Sequence, residues 1–503
     1  MVSLYDTENN AVRQLGAHLR SQGHRVVEIY FKDWRNNRLE APTHKEMERL
    51  VQLLEQQDIG LIGVSLRASA YEKVASRICQ MIRAKTGLPL VLGGWHPTVR
   101  PENCMPFADA LCLGEGDHSF PEFVRRFFEG KGALSAVVDT PGFHLRLKSG
   151  KIQKNPLPPL VETLDSLPWR DYVSEDKWLI HRSRLERGDP MKADPLYQVL
   201  CSIGCIQSCS FCHNSFDTGA AGARLRFRSV SSVLDELTAR RNANPGIRRV
   251  RFDDEIFGLN LAWLREFAER YPREVGLPFD VLTEPTVVSE EYADLLQKAG
   301  AKVVHMGIQS TESVNREKLA RRADRETTAA AVKRLSARGI RIRYLVMVDI
   351  PEVGQQEMEE LLQFLGEVPR PYDLYLFSLT YFPGTSMVEE MLREGVLHPA
   401  QIEGSATKTF SQYRVDLGWP RESSDTWWLA LLVLTSSHMV PGWLLDQARK
   451  KEWGKKSPRP LVVAAHLATL LKTMRVAGQM VQEGELTPTL VRRWWNPLQM
   501  ITM

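Results

Sequence analysis

An excess of either charge is missing from this chain: 65 Lys and Arg stand against 61 Asp and Glu over 503 residues. That balance excludes a strongly basic surface, and no nucleic-acid partner is expected. Cysteine is scarce, with 7 in all, so the disulfide framework of a small secreted scaffold is excluded and a cytosolic protein is expected. Met1 to Tyr5 run straight into the polar stretch Asp6 to Asn10, which leaves no apolar segment of signal-peptide length there. Long hydrophobic runs are also lacking, with one exception. Trp427 to Leu445 is long enough to span a bilayer but carries Thr435, Ser436, Ser437, His438 and Pro441 in its middle. A buried helix that breaks near Pro441 is therefore expected, and no membrane contact.

What is present reads as an α/β protein in several parts. A length of 503 residues with 43% apolar and 25% charged residues exceeds one compact core and fits three domains. Over residues 1–130, apolar runs at Val2–Tyr5, Arg25–Tyr30, Ile59–Ser65, Leu88–Gly93 and Ala108–Leu113 alternate with helical spacing at Asn10–Gln22, Lys45–Gln56, Tyr71–Lys85 and Phe120–Glu129. This pattern predicts a doubly wound, Rossmann-like parallel sheet. Residues 131–195 mix proline, charge and short apolar pieces without a period, as in Pro156-Leu157-Pro158-Pro159, and are expected to be a linker. A second βα series occupies residues 196–386, with strands expected at Leu196–Leu200, Arg249–Phe252, Phe279–Thr283, Val303–Ile308, Arg341–Val348 and Leu374–Thr380. Six such units fit a partial (β/α)6 barrel, whose ligands sit at the carboxyl ends of the strands. Residues 387–503 turn helical and carry Trp419, Trp427, Trp428, Trp443, Trp453, Trp494 and Trp495. This segment is expected to close the barrel mouth around a partly apolar substrate pocket; filling a helical core is the alternative.

Directly after the first strand of the second series stand Cys205, Cys209 and Cys212, with Phe211 before the last of them. Three thiolates on one loop can hold a cubane iron-sulfur cluster and leave its fourth iron open for chemistry. A zinc knuckle is the alternative, but zinc wants four ligands and no cysteine follows Cys212. Cys201 is the remaining thiol nearby, expected to be a core residue. The absence of later cysteines also excludes auxiliary clusters with thiolate sets of their own.

The spacing Cys205-x3-Cys209-x2-Cys212 resembles the signature of radical S-adenosylmethionine enzymes. The resemblance implies a [4Fe-4S] cluster whose open iron takes S-adenosylmethionine, and an electron donor such as flavodoxin or ferredoxin. Strand ends further along are similar to that family: Arg251-Phe252-Asp253-Asp254-Glu255, Thr283-Glu284, Gly307-Ile308-Gln309-Ser310 and Tyr381-Phe382-Pro383-Gly384-Thr385. Phe211, Asp253, Glu284, Gln309 and Ser310 are the implied S-adenosylmethionine contacts. Many relatives carry Glu where Gln309 stands, which leaves an uncharged hydrogen-bonding group here. The plainer alternative for each is an ordinary polar residue at a strand end.

The N-terminal sheet resembles the cobalamin-binding half of the cobalamin-dependent radical enzymes through Val64-Ser65-Leu66, Gly93-Gly94-Trp95-His96-Pro97-Thr98 and Gly114-Glu115-Gly116-Asp117. Implied cobalamin contacts are Asn10, Ser65, Leu66, Arg67, Gly93, Gly94, His96, Pro97, Thr98, Gly114, Glu115 and Gly116. The first loop, Asp6-Thr7-Glu8-Asn9-Asn10, has no histidine, whereas cobalamin mutases and methionine synthase place there the one that ligates cobalt from below. By analogy Leu66 and Arg67 approach the lower face, unless Arg67 is a solvated loop residue, and His96 positions the cofactor tail through backbone. A sheet that binds nothing is the alternative. The function implied is methylation of an unactivated or poorly nucleophilic carbon of a small molecule or natural-product intermediate. A ring-forming or oxidising relative, similar to the anaerobic cyclase of bacteriochlorophyll synthesis, and a non-catalytic cobalamin or redox sensor are the rival expectations.

Overall fold

The computed structural model describes residues 1–33, 41–213, 224–370, 372–406, 417 and 421–482, the side chains of 403, 404 and 406 excepted. They fall into two units: 1–193 with 213–226 and 381–409, and 194–212 with 227–380 and 410–503.

Short apolar runs buried on both faces build the first unit. Strands β1 (Val2–Leu4), β2 (Glu28–Phe31), β3 (Ile62–Ser65), β4 (Leu90–Gly93) and β5 (Ala110–Cys112) pair in parallel in the order β5-β4-β3-β1-β2. Their Val, Ile and Leu side chains leave few polar positions, as a sheet covered by helices requires. The helix His44–Gln56 opens on a capping box formed by Thr43 and Glu46, and Glu72–Thr86 ends at Gly87 in the left-handed conformation.

The segment expected to be a linker is instead part of this sheet. Strands β6 (Phe143–Arg146) and β7 (Ile152–Lys154) extend it antiparallel beyond β5; β8 (Lys177–His181) joins β2 in parallel, and β9 (Arg184–Arg187) closes that edge. The apolar period missed it because charge anchors it. Arg13 donates to both carboxylate oxygens of Asp189 at 2.6 and 2.8 Å, and Lys177 Nζ lies 3.0 Å from Asp189 and 3.5 Å from Glu28. The Arg13 guanidinium is also sandwiched against Tyr30 and Tyr172. Such pairs carry no periodic signal in a sequence.

Six strands of the second unit follow the expected series closely. After β10 (Leu196–Val199) and the two-residue β11 (Ser202–Ile203) and β12 (Arg226–Phe227) come β13 (Arg249–Phe252), β14 (Phe279–Thr283), β15 (Ala301–Gln309), β16 (Arg341–Val348) and β17 (Asp373–Ser378). The order β10-β13-β14-β15-β16-β17 is parallel throughout, so the carboxyl ends lie together on one edge.

Residues 387–503, expected as a third domain, divide between the two units. Ser423–Thr435 is a buried helix packed between Gln355–Glu367 and Arg459–Gln482, with Tyr372 donating its hydroxyl to Thr435 at 2.6 Å. The chain then breaks, and Gly442–Lys450 restarts after Pro441, as the proline predicts. Trp427 and Trp428 fill this core, but Trp443 is 66% exposed and Trp453 45%, so they do not share one pocket; Trp419, Trp494 and Trp495 lie outside the described residues. Arg459–Gln482 is long and apolar enough to cross a membrane by length and composition.

Candidate functional site

In the second unit the cysteine loop leaves the carboxyl end of β10 and is held at its base by a carboxylate. Asp254, just past β13 and 1% exposed, accepts the Cys201 N–H at 3.1 Å and the Ser202 hydroxyl at 2.5 Å. Burial drives its carboxyl up to about 6, against the bonds from Ser202 and Cys201. The far side is tied to the segment after β15, where the Ser210 N–H donates to Leu319 O at 3.1 Å and its hydroxyl to Lys318 O at 2.7 Å. Cys201 and Cys209 are buried, and Cys205 and Cys212 are half-buried.

Donors are already aimed at two sulfurs. The Arg321 guanidinium lies 3.3 Å from Cys209 Sγ, and the Gln207 N–H lies 3.4 Å from Cys205 Sγ. N–H groups in these positions suit thiolates that carry negative charge, which is what an iron-sulfur cluster requires. Among the described residues no three His, Cys, Asp or Glu stand close enough to share a single ion.

Arg321, itself buried, also donates to Gly307 O at 2.8 Å and stands 3.9 Å from Glu284. It thus gathers Cys209, Glu284 and the end of β15 around one cation. Gln309 closes that strand with φ 57, an unusual left-handed setting for a residue other than glycine, where the β15–β16 register shifts. Glu284 accepts the Thr286 hydroxyl, and Ser310 and Ile308 carbonyls are held by the Asn315 amide. Asp253 is taken by Arg251 at 2.6 Å, and Phe211 sits half-buried in the turn between Cys209 and Cys212. Arg321 and Asp254 escape sequence reasoning. One lies in Leu319-Ala320-Arg321-Arg322, like any solvated basic pair, and the other in the acidic run Asp253-Asp254-Glu255.

In the first unit the loops after β1, β3, β4 and β5 share the carboxyl edge. Asn9 ties two of them: its amide donates to Ser3 and Ser65 at 2.9 and 3.0 Å, while its carbonyl caps the helix Asn10–Ser21. Gly94 has φ 114, and a Cβ there would lie 2.7 Å from Leu66 O, so only glycine permits this approach. Thr98 bridges onward, donating to Gly94 O at 2.9 Å and accepting the Gly114 N–H at 3.0 Å. Gly114 is also left-handed, and a Gly93 Cβ would find ordinary contact with Cys112.

Leu66 and His96, expected at this edge with His96 acting through its backbone, both have buried side chains. Leu66 is fully buried in the core, so its side chain offers nothing to a ligand and only its backbone lies at the edge. His96 is buried with Nδ1 2.8 Å from Ser69 Oγ and Nε2 3.1 Å from Glu72; it braces the loop, and Pro97 is buried beside it. Arg67 reaches outward, with its guanidinium 2.8 Å from Asp6. Glu115 precedes the helix Gly116–Glu129 and is paired with Arg226, 2.9 Å from Nη1. Thr7 Oγ1 and Asn10 Oδ1 are buried without a hydrogen-bond partner. Unsatisfied polar atoms on the first loop fit a polar ligand at this edge. With no histidine in that loop and His96 braced, these loops present no imidazole to a cobalt ion.

Known proteins give the same division. Residues 2–124 match the B12 binding domain and residues 199–365 the Radical SAM superfamily. An uncharacterised methyltransferase of Pyrococcus horikoshii is 25% identical over 69% of this chain and 72% of its own length. The bacteriochlorophyllide d C-12(1)-methyltransferase of Chlorobaculum tepidum is 23% identical over 63% of each chain. Among solved structures, the radical S-adenosylmethionine methyltransferase TsrM of Kitasatospora setae, with cobalamin and a [4Fe-4S] cluster bound, superposes with a TM-score of 0.63 at 19% identity, covering 93% of this chain and 99% of that one.

Proposed function

We propose, from a chain that belongs to the cobalamin-dependent radical S-adenosylmethionine enzymes, that it is a C-methyltransferase acting on an unactivated or poorly nucleophilic carbon of a small molecule or natural-product intermediate. The observation that carries this reading is one polypeptide in which donors face two sulfurs of a three-cysteine loop and a B12-type sheet presents no imidazole from its edge loops. In this reading residues 1–130 bind cobalamin, residues 196–386 form the radical domain, and the protein is cytosolic.

Cys205, Cys209 and Cys212 hold the cluster, and Arg321 offsets the charge of their thiolates. Glu284, Gln309 and Ser310 orient S-adenosylmethionine at the carboxyl edge, with Phe211 and Asp253 flanking it. Asn10, Arg67, Thr98, Gly114 and the backbone of Ser65, Leu66, Gly93, Gly94 and Gly116 hold cobalamin, braced from behind by His96 and Pro97 and flanked by Glu115. When bound, these groups supply a radical that removes hydrogen from the substrate carbon and a relay that delivers a methyl group. A flavodoxin or ferredoxin supplies the electrons.

Incubation with S-adenosylmethionine, reductant and an extract of the producing cell tests the reading. Equal amounts of S-adenosylhomocysteine and 5′-deoxyadenosine are expected, with a product in which methyl replaces hydrogen. 5′-Deoxyadenosine without S-adenosylhomocysteine, and no carbon gained, would make the chain a ring-forming or oxidising enzyme instead. S-Adenosylhomocysteine alone would mean methylation without a radical. Replacing Cys205, Cys209 and Cys212 together by Ala should abolish iron and sulfide binding, while Cys201→Ala should retain both.

A further inference from the structure

At the opposite end of the six-stranded sheet, the strand starts carry charge that the cluster loop does not use. Register sets His305 beside Arg343 and Arg343 beside Asp373; one rung lower, Asp280 neighbours Val303 and Val303 neighbours Arg341. Side chains alternate along a strand, so all of these emerge on one face. There they line a cavity of about 560 Å³ together with Tyr375 and with Lys472 of the helix Arg459–Gln482.

The charges in this cavity do not balance. Asp373 lies 3.2 Å from Arg343, 3.6 Å from Arg341 and 3.7 Å from Lys472. Among the described residues these three cations have no other carboxylate within ion-pair distance, and Asp280 is held by Arg249 at 2.9 Å. Two positive charges are thus left over in a recess where the Arg343, Lys472 and Asp373 side chains are 21%, 14% and 15% exposed. Nε of both Arg341 and Arg343 is buried without a hydrogen-bond partner. Arg343 is also fixed in orientation, its guanidinium 4.6 Å from the Tyr375 ring centroid. His305 adds no charge: burial and the arginines pull it down to about 2. The whole lining has seven Lys or Arg and two Asp, which focuses a positive potential into a half-closed space.

We propose that this cavity binds a compact dianion of phosphate chemistry, with Arg343, Arg341 and Lys472 as its ligands. A dianion offsets the two unbalanced charges, and the planar guanidinium forks suit its oxygens. The site is distinct from the cluster loop: Val348, at the carboxyl end of β16, lies five residues beyond Arg343, about 16 Å along the strand. Free phosphate and the phosphoryl group of a larger molecule share this chemistry.

Isothermal titration calorimetry of the full chain, in buffer free of phosphate and sulfate, tests this without any turnover. Inorganic phosphate and glycerol phosphate are the two probes. Saturable one-to-one binding is expected for at least one of them, weakened ten-fold or more in Arg343→Gln and Lys472→Gln and unchanged in the surface variant Arg393→Gln. Tighter phosphate identifies the free ion as the occupant, and tighter glycerol phosphate a phosphorylated molecule. Should the first two variants fold poorly, Asp373→Asn decides, because removing the competing carboxylate should tighten binding several-fold. Absence of saturable binding in the millimolar range, equal affinity in Arg343→Gln, or no gain in Asp373→Asn would overturn the proposal.

Discussion

Two clusters of buried charge, one in each unit, use the same residue types in different proportions. In the first, Arg13, Arg20 and Lys177 face Glu28, Asp171 and Asp189, three cations against three carboxylates. In the second, Arg341, Arg343 and Lys472 share Asp373 alone. A closed set of partners locks β8 and the chain after β9 onto the sheet and leaves nothing for a ligand. An unclosed set keeps a residual field, and that difference separates scaffold from site more clearly than burial does.

The largest expected effect breaks the balanced cluster. Asp189→Ala strands Arg13 and Lys177 without their shared partner and should cost ~3–5 kcal/mol, because an uncompensated buried charge is costly. Scanning fluorimetry should record a lower melting temperature, whereas Asp139→Ala, which frees Arg126 from an exposed partner, should change it little. Equal shifts for the two variants would remove the distinction.

Another buried cation sharpens the comparison, since Arg321 meets a sulfur and a carbonyl at hydrogen-bond distance and its carboxylate, Glu284, only at 3.9 Å. Arg321→Leu should keep the cluster cysteines and their iron but move the cluster potential to more negative values, on the order of tens of millivolts. Redox titration followed by electron paramagnetic resonance measures this; an unmoved potential would reduce Arg321 to a structural brace.

A further effect concerns His305, neutral among the unbalanced charges. Its imidazole is depressed from 6.5 to about 2 by burial first, then by Arg343 and Arg251. An imidazole that stays neutral when folded but protonates when unfolded contributes fully above pH 6.5 and loses that contribution as the pH falls towards 2. Between pH 6.5 and 5 the loss is ~2 kcal/mol. His305→Gln should flatten that part of the stability profile in denaturant titrations at the two pH values; identical slopes would contradict it.

These contrasts also mark what a sequence can disclose. Strands with apolar runs or apolar alternation are legible almost to the residue, as Arg341–Val348 and Arg249–Phe252 show. Strands such as Ile152–Lys154 and Arg184–Arg187 are not, because exposed, charged edge strands carry no apolar alternation. The cysteine loop announced itself by spacing, yet Asp254 and Arg321, which hold it, act across dozens of residues and look like surface charge. Leu66 and His96 lie on loops of the cobalamin-type sheet with their side chains turned inward, a direction that motif position alone does not fix.

The interlock of Gly94 against Leu66 O, with Thr98 passing the connection to Gly114, has a practical consequence for anyone who would reshape this edge. Three loops far apart in the chain are sewn together through main-chain atoms and the Thr98 hydroxyl, so altering one alone asks the others to move. Libraries that randomise the loops separately would discard variants that succeed only in combination. Redesign here would begin with positions 66, 94, 98 and 114 varied as a set, with glycine retained at 94.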